Sequence, residues 1–184
     1  MSVDTKVRLI GRVDAESIAE WIKTNVDNDV KLVNGTVTRI TEAEYDKYVS
    51  TDDIKEHYSE DKTLWSIAKW IVFTYNGRKR TIFYYYSPLN WYENLDYYKP
   101  LGLEDMVKSE TTNLSLGYDD DAKNIMERIV KAFGGWIDYN DCDDEEFVKF
   151  EKGSESPIAI RHITMADVYE TFGGFVVIDD LYKN

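Results

Sequence analysis

A chain of 184 residues with 35 acidic and 22 basic side chains carries a formal net charge of −13. Hydrophobic residues make up 43% and aromatics 14%, enough to close one core, so a single domain over 1–184 is expected and wholesale disorder is not. The charge disfavours duplex nucleic acid and anionic membranes, one cysteine forms no internal disulfide, and no run nears the roughly 18 apolar residues of a spanning helix.

Met1–Lys6 has no apolar stretch behind a basic start, so no secretory signal is read and a cytoplasmic protein is expected. Lys6–Val13 reads as a strand. Asp14 then suits an N-cap for a helix with Ile18, Trp21, Ile22 and Val26 on one face. Asn34-Gly35 splits the next apolar stretch, and that dipeptide predicts a two-residue hairpin. Glu42–Lys62 holds eight acids against three lysines and reads as helical pieces with a solvated face.

The pattern changes at Ala68. AKWIVFTY and RKRTIFYYY flank Asn76-Gly77, a second hairpin signal. Pairing across that turn puts Ile71, Phe73, Tyr75, Ile82, Tyr84 and Tyr86 on one face. Trp70, Val72, Phe83 and Tyr85 fall on the other. Such a hairpin is covered on both sides, which is the commoner case, or offers one face to a partner. Its tip, Arg78-Lys79-Arg80, is the basic cluster of the chain. Ser87–Leu101 reads as an aromatic loop bounded by Pro88 and Pro100, Leu103–Lys108 as a helical turn and Thr111–Leu116 as a strand.

Asp119-Asp120-Asp121 opens the clearest helix, where acids suit the positive end of the helix dipole. Ala122, Ile125, Met126, Ile129, Val130 and Phe133 form its apolar stripe, and Gly134-Gly135 predicts a left-handed stop. A short strand starts at Trp136-Ile137. The tail repeats this grammar: Thr164 as N-cap, then Met165, Val168, Tyr169 and Phe172, then Gly173-Gly174, a strand at 175–178 and two acids. The expected fold class is α+β, a mainly antiparallel sheet with helices at 14–27, 119–133 and 164–172 packed on it.

The acids concentrate in Asp138-Tyr-Asn-Asp-Cys-Asp-Asp-Glu-Glu146, read as a displayed loop. An EF-hand needs glycine at its sixth position and a bidentate acid at its twelfth. Starting at Asp141 or Asp138, the sixth position is Glu146 or Asp143 and the twelfth is Lys152 or Lys149, so no calcium loop is expected. Carboxylates around Cys142 suppress its thiolate, which argues against a nucleophile. His57 reads as a surface group and His162 as structural. Neither has the neighbours of a general base or the spacing of a zinc ligand. No glycine-rich phosphate loop, HExxH or GxSxG motif is present. No metal and no cofactor are expected.

Gly102–Phe147 resembles small acidic proteins carried by phages and prophages of low-GC Gram-positive bacteria, a resemblance whose motifs are structural. More weakly, IMERIVKAFGGWIDYNDCDDEEF is similar to acidic anti-CRISPR inhibitors, in which a dense acid loop stands in for DNA. That resemblance implies a non-enzymatic inhibitor whose partner is a protein with a basic surface, such as a nucleic-acid enzyme. Its contact residues would be Asp138, Asp141, Asp143, Asp144, Glu145 and Glu146, with Asp119, Asp120 and Asp121. The alternatives are an immunity protein against a toxic nuclease, an enzyme using converging carboxylates or histidines, and a phage component.

Overall fold

Apolar residues alternating along strands, with two helices laid across one side, build this protein. The computed structural model describes residues 4–39, 65–87, 95–107, 110–141 and 144–173. Eight strands form one sheet: β1 (Asp4–Ile10), β2 (Lys31–Arg39), β3 (Trp65–Tyr75), β4 (Arg78–Tyr86), β5 (Thr111–Gly117), β6 (Gly135–Asp141), β7 (Asp144–Phe150) and β8 (Pro157–Thr164). Their order is β2-β3-β4-β5-β1-β6-β7-β8, and every pairing is antiparallel. The N-terminal strand thus sits in the middle and joins two meanders, β2–β5 and β6–β8. The helices are α1 (Ala15–Asn25), α2 (Leu95–Tyr98), α3 (Glu104–Val107), α4 (Asp120–Phe133) and α5 (Met165–Phe172). The fold is α+β.

The first face of the sheet is covered by α1 and α4. Ile18 and Ile22 of α1, and Ile125, Met126, Ile129 and Val130 of α4, are fully buried against Val7, Leu9, Ile71, Phe73, Ile82 and Ile137. Each such side chain contributes about 1.5–3 kcal/mol by leaving water. Asp119 caps α4, accepting the Ala122 N–H at 2.8 Å. Thr164 and Asp167 form a reciprocal capping box on α5. The second face carries a smaller cluster in which Tyr98, Leu103 and Met106 pack on Trp136, Phe147 and Ile163, with Val168 of α5 against it. The two helices that share a Phe-Gly-Gly ending therefore lie on opposite faces of the sheet.

Three expectations need correction. Asn34-Gly35 makes no hairpin: β2 runs through it, with a register shift between Asn34 and Val37. Glycine is needed there for space, because a Cβ at Gly35 would sit 2.5 Å from the Ala68 carbonyl oxygen and 2.6 Å from the Trp70 ring. Gly134-Gly135 ends α4, yet Gly134 (φ 82, ψ 139) is not a left-handed helical cap. Gly135 instead starts β6 with φ 148, and a Cβ on it would lie 2.2 Å from the Arg8 carbonyl oxygen. Finally, the acidic run is no loop; 138–141 and 144–146 lie in the β6–β7 hairpin. The readings for 42–62, for His57 and Cys142, for 88–94 and for the 175–178 strand fall outside the described residues, while Leu95–Tyr98 is helical.

Candidate functional site

The second face of the sheet divides into two halves. The register from β2 to β1 places Val33, Trp70, Phe83, Ser115 and Lys6 in one row, with Tyr85, Asn113 and Arg8 in the next. Here the aromatic rings are partly open: Val33 is 46% exposed, Trp70 38% and Phe83 38%. Trp70 and Phe83 lie 6.0 Å apart between ring centroids, and Phe83 stacks parallel to Tyr85 at 6.5 Å. The Asn76-Gly77 hairpin was legible in the sequence together with both its faces. The open face is the less common of the two outcomes read there.

The other half, β6 to β8, is covered by α2, α3 and α5, and it contains two of the predicted acids. Asp138 lies opposite Lys6 on β1 and Phe147 on β7. It is 8% exposed, and its Oδ1 has no hydrogen-bond partner among the described residues. Burial first, then the charge of Glu145, pushes its carboxyl up to about 7, with Lys6 and Arg8 pulling the other way. Glu145 is the diagonal neighbour on the same face, and its Oε2 is also buried without a partner among the described residues. Burial raises this carboxyl as well, against Lys6 and Arg8. Arg8 is committed elsewhere, donating from Nη2 to the Tyr98 hydroxyl at 2.5 Å. The Trp136 indole N–H, one row away, is unpartnered among the described residues too.

The remaining predicted acids are dispersed. Asp119 and Asp121 are joined to Arg80 at 2.6 and 2.9 Å, which ties the β3–β4 tip to the start of α4. The Arg80 bond, then the Ala122 N–H, holds Asp119 below its usual carboxylate range. Asn76 adds a bond to Asp121 at 2.8 Å. Asp120 is exposed. Glu146 points to the first face and pairs with His162 at 3.1 Å, so His162 is an exposed edge-strand residue and not a buried structural one. Asp141 and Asp144 close the hairpin as backbone, while Asp143 and the side chains of 141 and 144 lie outside the described residues. The structure thus brings Asp138 and Glu145 together and separates them from Asp119–Asp121.

Among the described residues, no three His, Cys, Asp or Glu side chains converge on a metal position, and no helix is long and apolar enough to cross a membrane. An open depression on the outer side of α1 is lined by Glu16, Ser17, Glu20, Trp21, Thr24 and Asn25, and the Thr24 hydroxyl in it donates to the Glu20 backbone carbonyl at 3.0 Å. No protein-family model matches the chain, and neither a curated protein nor a solved structure matches it.

Proposed function

We propose that this is a non-enzymatic protein-binding protein whose contact face is the open half of the sheet. The observation that carries the reading is the exposed strip of Val33, Trp70 and Phe83, extended by the half-buried Tyr85. Contiguous exposed aromatics favour a protein interface, where Trp and Tyr anchors supply most of the holding energy. The net charge of −13 steers a basic partner toward the chain and discourages acidic ones. A nucleic-acid enzyme with a basic cleft, inhibited by occupation, is the partner class this combination fits, in line with the resemblance to acidic inhibitors.

Mimicry of DNA by a dense row of acids is not part of the proposal. Asp119 and Asp121 share Arg80, which offsets one of their two charges and ties both to the hairpin tip, and Asp138 is buried. Stacking of nucleic-acid bases on Trp70 and Phe83 is the competing use of such a face. The positive charges on this face of β1–β5 among the described side chains are Lys6, Arg8, Lys31 and Lys79, and four cations do not offset −13 against a polyanion.

The test compares the wild type with Trp70→Ser/Phe83→Ser, each immobilised, exposed to bacterial lysate and washed with rising salt. Proteins held by the wild type at high salt and lost from the double variant support the reading. Equal retention by both refutes it.

A further inference from the structure

Two buried acceptors on one face without a donor among the described residues are costly, and the β6–β7 hairpin holds such a diagonal pair. Ionised carboxylates only accept hydrogen bonds, so rotating Asp138 or Glu145 cannot satisfy Oδ1 and Oε2 together. Diagonal neighbours on one sheet face lie about 7–8 Å apart at the backbone, a gap that longer side chains close. One added proton resolves the problem. A protonated carboxyl donates, its neighbour accepts, and one negative charge leaves the patch.

We propose that Asp138 and Glu145 form a proton-binding pair that keeps α2, α3 and α5 seated on the second face of the sheet, and that shedding the proton loosens this cover. The cover is held by few large contacts. Tyr98 meets Phe147 edge-on at 6.1 Å, and Tyr97 stacks on Phe172 of α5 at 5.7 Å. The Tyr97 hydroxyl is raised by burial first, then by the charges of Glu145, Tyr98 and Asp138, which places it among the same groups.

The other charges on this face are accounted for strand by strand. From β1, Asp4, Lys6 and Arg8 share it; from β7 and β8, Lys149 and Arg161 do. Lys149 lies over the Trp136 ring at 5.4 Å. Among the described residues no ion pair joins Lys6 or Arg8 to either carboxylate. The described side chains that α3 and α5 pack onto this face, Met106, Val168 and Phe172, are uncharged, and the charged residues described on those helices, Glu104, Asp167 and Glu170, are exposed. Ionising both acids therefore sets two like charges beneath Tyr97. The elements that yield are the least anchored ones: two four-residue helices, and α5, which has no fully buried side chain.

Hydrogen exchange, corrected for the intrinsic pH dependence, tests this at about pH 5.5 and about pH 8.5. In the wild type, amides of 95–107 and 165–172 should lose roughly tenfold or more in protection at the higher pH, while α4 keeps its own. Asp138→Asn/Glu145→Gln should abolish that difference. An equal loss in both proteins, or none in the wild type, overturns the proposal. The double variant can misfold, so carboxyl-carbon NMR of the wild type provides a second decision. One member titrating at or above about pH 6 supports the pair, and both titrating below that value refute it.

Discussion

Replacing Asp138 with asparagine keeps its shape and removes its charge. Burial, then Glu145, moves this carboxyl from 3.8 to about 7 in the folded chain. Between those values the native state holds a proton that the unfolded chain has released, so stability falls as pH rises through the window and levels off above it. At about 1.4 kcal/mol per tenfold, that window corresponds to a loss of up to roughly 4 kcal/mol by pH 8. Asp138→Asn escapes the loss, since an amide does not ionise. The variant should match the wild type near pH 4 and exceed it increasingly up to pH 7, with a constant gap beyond. Urea denaturation at stepped pH measures this, and the difference between the two proteins cancels the titrating groups that are not coupled to Asp138, leaving Asp138 and its neighbour Glu145. A gap that stays flat between pH 4 and 8, or one that opens on the acid side, would refute the burial argument.

Arg80→Met removes both bonds to the start of α4. With Arg80 itself 11% exposed but Asp119 45% exposed, the expected cost is about 1–2 kcal/mol in chemical denaturation. Because Arg80 depresses the Asp119 carboxyl, that stabilisation is complete at neutral pH and fades as pH falls through the carboxylate range, so the two proteins should converge in acid. Gly135→Ala forces a Cβ onto the Arg8 carbonyl at a positive φ; a drop of about 3 kcal/mol or more in unfolding free energy is expected, and a neutral result would mean β1 and β6 are not in this register. Trp70→Ser/Phe83→Ser, by contrast, removes side chains already 38% exposed, and its thermal midpoint should move less than that of Ile129→Ala, which opens a cavity worth about 2–5 kcal/mol.

Local signals were legible where one element could be read alone. The stripe from Ala122 to Phe133, the cap at Thr164 and the turn at Asn76-Gly77 each carry their own geometry, and each stands in the fold. What failed needed a distant partner. Asn34-Gly35 has the composition of a turn, but strand β3 lies against it and the glycine makes room for Ala68 and Trp70. The run after Ile137 has poor strand-forming residues, yet β1 and β8 pair on either side of the β6–β7 hairpin and override that tendency. No local feature announces that β1 enters between β5 and β6. The site follows the same division. Alternation places Trp70, Phe83 and Tyr85 on one face from sequence alone. Asp138 and Glu145 share a face only once the hairpin register is known, and Arg80 reaches Asp119 across 39 positions.

Hydroxyl-radical footprinting of the chain bound to a protein it retains, compared with the free chain, probes the contact face directly. Trp70, Phe83 and Tyr85 should become protected on binding, while Trp21 and the outer sides of α1 and α4 keep their reactivity. Protection confined to α1 and α4, with the aromatic strip still reactive, would contradict the assignment.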